Sequence, residues 1–254
     1  SKQRYNNSFI DFFGKEADHY DFIKEDSLTA GQNLSDDYLL ALVQEELAKG
    51  NRKQFIVLHT YGSHFNYRER YPAEAAFFQP DSPADAEFKY RDNLINAYDN
   101  SIRYTDDLLS RLIGLLQQQD AGAAMLYTSD HGEDIFDDHR HLFLHASPVP
   151  SYYQLHVPFI VWTSDTYREK YPEHMDALQK NRHKSVASNR VVFHSVLDLA
   201  GVTTTYVNDS LSVASPSYTE FPRFYLNDHN EPRSYDDSGL RKEDFEMLGK
   251  MGIR

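Results

Sequence analysis

The sequence predicts an α/β protein built around a mostly parallel sheet. Short apolar runs rich in strand-forming residues alternate along the chain with segments whose apolar residues recur at helical spacing. Two of these apolar runs end in polar loops that contain histidine, and open α/β sheets bind ligands at such strand ends. No internal repeat and no Gly/Ser-rich linker divides the 254 residues, so we expect one domain.

Three helices are predicted from capping residues and periodicity. The first covers residues 36–49, with Ser35 at its N-cap and Gly50 just beyond its last turn. A second covers residues 189–200 and ends at Gly201. The longest begins near Asn93 and has one face at steps of three and four, formed by Leu94, Tyr98, Ile102, Thr105, Leu109, Leu112 and Leu116.

Three buried strands are predicted, at residues 55–59, 124–128 and 157–162. Pro158 has no N–H group to donate, so the third strand should start at an edge or a bulge. The loops at residues 60–64 and 129–133 follow the first two strands, and we expect a functional site where these loops meet.

Composition excludes several classes of protein. With 26 Lys and Arg against 39 Asp and Glu, the formal net charge of −13 argues against a nucleic-acid-binding face. The absence of cysteine excludes disulfides, thiolate metal sites and cysteine nucleophiles. The most apolar runs, residues 55–58 and 121–127, are too short to span a membrane.

Asp130 and His131 directly follow the second predicted strand. A carboxylate next to a neutral imidazole suits a divalent cation, and Gly132 would allow a close backbone approach. The alternative is that Asp130 caps a turn and His131 is a surface residue, and the dipeptide alone favours this alternative. The adjoining loop, residues 137–141, is predicted to be solvated, as is the acidic pair at residues 36–37.

His64 and His145 complete the set of candidate residues. His64 ends the loop after the first predicted strand, and His145 lies twelve residues beyond Glu133. Each histidine alone is more simply a packed or loop residue. Together with Asp130 and His131, they favour a shared polar site at one edge of the sheet.

Four segments match a known pattern in the same order. They are His59-Thr60-Tyr61-Gly62-Ser63-His64 with Arg70-Tyr71-Pro72, then residues 98–106, then residues 127–133, and finally Leu144-His145 followed by residues 156–159 and Trp162. These segments resemble the motifs of bacterial phosphoethanolamine transferases, which belong to the alkaline-phosphatase/sulfatase superfamily. The resemblance implies a three-layer α/β/α sandwich with a mostly parallel central sheet.

The resemblance also implies roles for the candidate residues. Asp130 and His131 would be ligands of a catalytic zinc. His64 and His145 would line the neighbouring position as catalytic and substrate-binding residues, where they hold the substrate phosphate or a second zinc. The nucleophile of the family is a threonine that precedes everything present here. Residues 1–254 are therefore expected to be the C-terminal portion of one catalytic domain, without its N-terminal membrane domain and nucleophile segment, and inactive in isolation.

The implied reaction is a zinc-dependent phosphoryl-group transfer. Phosphoethanolamine would pass from phosphatidylethanolamine to an envelope glycolipid, lipid A or a core sugar, through a phospho-threonine-type intermediate. The partners would be a phospholipid donor and a glycolipid acceptor at the periplasmic face of the bacterial inner membrane. Two alternatives stay open: a sulfatase or phosphodiesterase hydrolase of the same superfamily, and a non-catalytic binding domain that keeps the fold.

Overall fold

The structure is a computed structural model that describes residues 14–21, 35–50, 53–82, 85–145, 149–227 and 231–252. Its chain contacts divide it into two compact units, Ser1–Leu115 and Leu116–Arg254, and each unit is described by itself. The expected single catalytic domain over residues 1–254 stays a prediction.

Among the described residues of the first unit, α1 covers Tyr38–Ala48 and α2 begins at Arg91 and covers Arg91–Gln117. Both were predicted, and both begin within two residues of the expected position. Single 3-10 turns at Tyr67–Arg70, Ala73–Ala75 and Phe88–Tyr90 lie between them. One face of α2 is buried through Leu94, Ala97, Leu108 and Leu112. Of the face that the periodicity predicted, Leu94 and Leu112 are buried, whereas Ile102 is 47% exposed.

The strand predicted at residues 55–59 is wrong. These residues form no strand, and the side chains of Phe55 and Val57 are 74% and 73% exposed. A strand is stable only when a neighbouring strand satisfies its backbone hydrogen bonds, and the described residues of the first unit contain no strand to pair with it. This apolar run therefore shows that its residues favour an extended conformation. It does not show that a neighbouring strand is available to pair with them.

The segment at residues 66–82 is attached to α2 through Asn100, a fully buried residue of that helix. The side-chain oxygen of Asn100 accepts the backbone N–H groups of Phe77 and Phe78 at 2.9 and 2.8 Å. Its amide nitrogen donates to the carbonyl oxygen of Phe78 at 3.0 Å. One side chain thus satisfies three backbone groups of a segment that has no strand partner of its own.

The second unit contains three two-stranded antiparallel ladders among its described residues. Strand β1 at Ala124–Thr128 pairs with β4 at Phe159–Thr163, β2 at Asp134–Ile135 with β3 at Phe143–Leu144, and β5 at Phe224–Leu226 with β6 at Pro232–Ser234. The prediction for β1 is confirmed, and β4 begins directly after Pro158, which cannot donate to a ladder.

The direction of pairing differs from the predicted mostly parallel sheet. Among the described strands every ladder is antiparallel. The chain between β1 and β4 contains the short β2–β3 ladder and the single turn α3 at Tyr152–Leu155 instead of a long crossover helix. A chain that returns without such a helix can re-enter beside its starting strand in the opposite direction. The mixture of helices and strands still agrees with the predicted α/β class.

The remaining helices of the second unit are α4 at Asp165–Lys170, α5 at Pro172–Asn181, α6 at Ser188–Leu199 and α7 at Lys242–Lys250. Helix α6 was predicted over almost the same residues. Its buried Val191 and Leu199 belong to two neighbouring hydrophobic clusters, and Val161 of β4 packs against both. Burial of each such aliphatic side chain stabilises the folded state by about 1.5–3 kcal/mol. The β1–β4 ladder is therefore firmly packed through Val161 of β4.

Candidate metal centre

The loop after β1 carries the first candidate residues and packs tightly against α3. The backbone N–H of Gly132 donates to the carbonyl oxygen of Gln154 at 2.8 Å, and a Cβ atom at position 132 would lie 2.0 Å from the carbonyl oxygen of Tyr153. Only glycine fits so close an approach. The close backbone approach expected from Gly132 is confirmed.

A buried carboxylate makes the second attachment between this loop and α3. Asp134 accepts hydrogen bonds from the Ser151 hydroxyl at 2.7 Å and from the Gln154 side-chain amide at 2.5 Å. Burial raises the pKa of the Asp134 carboxyl, while the hydrogen bonds from Gln154 and Ser151 act in the opposite direction. Hydrogen bonds therefore fix Gly132 and Asp134, on either side of Glu133, against the turn α3.

His131, Glu133 and His145 come together in the second unit, with one potential ligand atom from each lying within 4.8 Å of the others. The imidazole rings of His131 and His145 have centroids 3.8 Å apart. The β2–β3 ladder accounts for this proximity, because it pairs Asp134 with Leu144 and so brings residue 145 back beside residue 133. The side chain of Glu133 is 5% exposed, and those of both histidines are 33% exposed.

The protein fixes the ring nitrogen that carries the proton in both histidines. Nδ1 of His131 lies 2.9 Å from the carbonyl oxygen of Gly132, and Nδ1 of His145 lies 2.9 Å from Oε1 of Glu133. A carbonyl or an ionised carboxylate only accepts, so Nδ1 donates in each case and the neutral ring has its lone pair on Nε2. Metal-binding histidines are held in this way, by a hydrogen bond from the nitrogen that does not bind the metal.

The hairpin that joins Glu133 to His145 is strained. Phe136, His141 and Leu144 all have positive φ values, of 55°, 50° and 65°. The left-handed conformation costs roughly 1–2 kcal/mol for each residue other than glycine. Such strain persists where surrounding contacts determine the backbone, and Leu144 directly precedes the candidate ligand His145.

Asp130 lies beside His131. Its Oδ2 atom is 3.7 Å from Nε2 of His131, and its Oδ1 atom accepts the backbone N–H of His131 at 3.0 Å. The carboxylate is 82% exposed. The contact of Oδ1 is the one expected if Asp130 caps the turn. Oδ2, in contrast, lies near Nε2, the ring nitrogen of His131 that has the lone pair. The role of Asp130 as a metal ligand stays a prediction.

His64 belongs to the first unit, at the end of a loop that a carboxylate holds in place. Asp36 accepts the backbone N–H groups of Tyr61 and Gly62 at 3.0 and 2.9 Å, and Gly62 has a φ of +53°. Asp36 is thus a half-buried acceptor rather than part of a solvated pair. Nδ1 of His64 lies 2.6 Å from the carbonyl oxygen of Phe65, so this ring also has its lone pair on Nε2. A site shared by His64 and the second unit stays a prediction.

Sequence reasoning missed Glu133. Glu133 was named only to give the position of His145. An acidic residue two positions after the candidate ligand His131 could have indicated a further ligand. In an extended loop, alternate side chains point to the same side, so His131 and Glu133 can face a common ligand. The prediction of a solvated loop at residues 137–141 is wrong for Arg140, whose side chain is 5% exposed.

The three grouped side chains fit zinc. Histidine nitrogens and a carboxylate oxygen form the donor set of many catalytic zinc sites, and such a set leaves a coordination position for substrate. The chain contains no cysteine, so nitrogen and oxygen ligands are the ones it offers. Asp130, next to His131, could add a further oxygen ligand.

A protein-family model described as "Sulfatase" matches residues 1–202, a span that includes all the candidate residues. The chain belongs to the sulfatase family. Within this family it is 34% identical, over 167 residues, to the phosphoethanolamine transferase EptA of Salmonella typhimurium, a match that covers 63% of this chain and 30% of the relative. It is 37% identical over 142 residues to the Kdo(2)-lipid A phosphoethanolamine 7''-transferase of Escherichia coli K12, covering 55% and 24%. The chain therefore spans less than a third of either relative.

Solved structures of similar proteins confirm the fold. The C-terminal periplasmic domain of phosphoethanolamine transferase EptC from Campylobacter jejuni superposes with a TM-score of 0.66 at 31% identity, covering 74% of this chain and 60% of that one. The corresponding domain of Escherichia coli EptC, solved in complex with zinc, has a TM-score of 0.69 at 23% identity and covers 94% and 70%; it shows the fold alone. The resemblance to phosphoethanolamine transferases and the predicted fold family are thus confirmed. None of the helices in the described part of the sulfatase-family chain is long and apolar enough to cross a membrane.

Proposed function

We propose that this chain carries the catalytic centre of a zinc-dependent phosphoethanolamine transferase. The enzyme would move phosphoethanolamine from phosphatidylethanolamine to an envelope glycolipid, lipid A or a core sugar, through a phospho-threonine-type intermediate. The observation that supports this most strongly is the cluster of His131, Glu133 and His145. All three side chains lie in the segments that resemble the motifs of the transferases.

The metal would be held by His131 through Nε2 and by Asp130, whose Oδ2 atom lies on the same side of the ring. Glu133 and His145 lie within reach of the same position. A bound zinc lowers the pKa of a nucleophilic hydroxyl and offsets the charge that develops on phosphoryl oxygens.

His145 has a separate part in this proposal. The hydrogen bond to the buried Glu133 fixes the orientation of its ring. A protonated His145 can donate from Nε2 to a phosphoryl oxygen or to a leaving oxygen. We assign the same substrate-binding role to His64, whose Nδ1 is likewise hydrogen-bonded to the protein.

Similar proteins support a setting for this reaction. They include a Kdo(2)-lipid A phosphoethanolamine 7''-transferase and the periplasmic domain of a phosphoethanolamine transferase. We therefore propose that this chain works at the periplasmic face of the bacterial inner membrane, with a phospholipid donor and a glycolipid acceptor.

A hydrolase of sulfate esters or phosphodiesters is the second candidate function. The matching family model carries the description "Sulfatase", and the same metal ligands would serve hydrolysis. In a hydrolase, water takes the place of the glycolipid acceptor.

Mass spectrometry of lipid A from cells that express the gene encoding this chain separates the two functions. The transferase adds phosphoethanolamine to the glycolipid, and Asp130→Ala and His131→Ala should each abolish the addition. His139→Ala is the matched control, because this loop histidine is 68% exposed. Release of free phosphoethanolamine without a modified glycolipid would identify a hydrolase, and an unaltered modification in His131→Ala would contradict the proposed centre.

A further inference from the structure

A fully buried carboxylate lies on the last helix, beyond the residues that the family model matches. Asp244 of α7 accepts four hydrogen bonds. Its Oδ1 atom accepts from Arg140 Nη2 and from the backbone N–H of Tyr152, both at 2.8 Å. Its Oδ2 atom accepts from Arg140 Nη1 at 2.7 Å and from the backbone N–H of Arg241 at 2.9 Å.

The first of these partners comes from the strained hairpin. Arg140 lies between β2 and β3, seven residues after Glu133 and five before His145. Its guanidinium binds Asp244 with two nitrogens and also donates to Asp138 from Nε and Nη2, at 3.0 and 2.6 Å. Asp138, within the hairpin, and Asp244, outside it, therefore hold the Arg140 guanidinium together, and the planar fork of arginine suits this geometry.

The second partner comes from α3. Tyr152 is the first residue of this turn, and its N–H group would have no helical acceptor without Asp244. The same turn supplies Gln154, which accepts from Gly132 and donates to Asp134. One carboxylate on α7 thus supports both the hairpin that carries His145 and the turn against which the loop of His131 packs.

We propose that Asp244 is a positioning residue for the cluster of His131, Glu133 and His145, and that α7 thereby completes the metal centre. Three left-handed residues in the hairpin need contacts from outside it to keep their conformation, and the Arg140–Asp244 pair supplies these contacts. Removing the carboxylate leaves Arg140 with Asp138 as its remaining acidic partner and the Tyr152 N–H without its acceptor. The hairpin then loses its contact with α7, and the hairpin and the turn relax. The zinc readout of this inference rests on the proposed function, while the geometry of the cluster does not.

Hydrogen exchange of the metal-free 254-residue chain tests the geometry. Asp244→Asn should accelerate amide exchange over residues 131–145 while β4 at Phe159–Thr163 exchanges as in the wild type. Glu246→Gln is the control on the same helix, since Glu246 is more than half exposed and pairs with Lys242. If Asp244→Asn fails to fold, Arg140→Lys replaces it in the experiment. This substitution keeps the positive charge but removes the bidentate hydrogen bonding to Asp244. Unchanged exchange over residues 131–145 would overturn the inference, as would an equal acceleration throughout the second unit.

Zinc affinity of the same variants provides a readout that a purely structural role would not move. Asp244→Asn should weaken zinc binding by about tenfold, as loss of an outer partner of a metal site does, and Glu246→Gln should bind as the wild type does. The absorption spectrum of bound Co²⁺ should change in Asp244→Asn only. Wild-type zinc affinity in Asp244→Asn would overturn the inference. A wild-type chain that binds no zinc would instead contradict the proposed function, and the exchange experiment would still decide the role of Asp244.

Discussion

Nδ1 of His145 lies 2.9 Å from Oε1 of Glu133, and Glu133 is almost completely buried while His145 is part-exposed. The pair combines an anchored carboxylate with an imidazole whose other nitrogen has the lone pair. Such carboxylate–histidine pairs orient metal ligands and increase their basicity. The β2–β3 ladder holds the two residues together across twelve positions of sequence.

Replacing the carboxylate by an amide tests this relationship. Glu133→Gln keeps the size of the side chain but removes its charge, so we expect zinc affinity to fall by roughly 10- to 100-fold, the usual effect of altering a partner of a metal ligand. Competition with a zinc chelator measures the change. Glu243→Gln, a part-exposed glutamate of α7, is the control. Equal affinities for Glu133→Gln and the wild type would show that Glu133 neither binds the metal nor orients His145.

The close approach at Gly132 should make this position intolerant of a side chain. A methyl group there would meet the carbonyl oxygen of Tyr153, so Gly132→Ala should lower the free energy of unfolding by about 1–3 kcal/mol. Urea denaturation provides the measurement. Gly114→Ala, within α2, has no atom within 4 Å of the new Cβ and should raise stability by about 0.5–1 kcal/mol. Destabilisation by both substitutions alike would argue against a specific contact at residue 132.

Asn100 should be essential to the segment at residues 66–82. Asn100→Ala removes the acceptor for two backbone N–H groups, at a cost of about 1–3 kcal/mol for each group left unsatisfied. Limited proteolysis should then cut near Phe77 and Phe78, and urea denaturation should report the loss of stability. Asn96→Ala loses one exposed hydrogen bond to Pro80 and should leave both measurements near those of the wild type. Resistance of Asn100→Ala to proteolysis would contradict the assigned role.

The carboxylates around Arg140 predict how stability depends on pH. The hydrogen bond from Arg140 holds the pKa of Asp138 below its usual range against the effect of burial. Burial also opposes ionisation of Asp244, but hydrogen bonds from Arg140 and two backbone N–H groups outweigh it and lower the pKa of this carboxyl too. As the pH falls below about 4, the unfolded chain therefore binds protons more readily than the folded one, and stability present at neutral pH is lost.

Asp138→Asn should therefore reduce the free energy of unfolding at neutral pH and make its decline at acid pH shallower. Thermal unfolding across the acid range measures both effects. Asp165→Asn, at a position that is 94% exposed, should follow the wild-type profile. An acid limb as steep in Asp138→Asn as in the wild type would show that the Asp138–Arg140 pair contributes nothing to the pH dependence.

Local patterns in the sequence predicted helices α1, α2 and α6 and strands β1 and β4, but not helices α4, α5 and α7. Helix α2 follows from its periodicity of apolar residues, and β1 from a compact apolar run. The run at residues 55–58 has the same character but forms no strand, because propensity does not provide a partner. The direction of the β1–β4 ladder was also not predictable, since it depends on how residues 129–158 return to β1.

Part of the candidate site was predictable from the sequence. His131 and His145 could be identified from strand ends and motif order, and they do lie together. The Arg140–Asp244 contact joins residues 104 positions apart, and no local pattern encodes such a pair. From the sequence, Arg140 is one of several charged residues in a polar loop. Its role becomes visible only in the folded chain, where it binds Asp244.

Zinc content of the purified 254-residue chain after dialysis tests the central proposal most directly. We predict that the wild type and His139→Ala retain zinc, and that His131→Ala and Asp130→Ala each lose most of it. Circular dichroism establishes that the variants remain folded. Retention of the wild-type amount of zinc by folded His131→Ala would contradict the proposed metal centre.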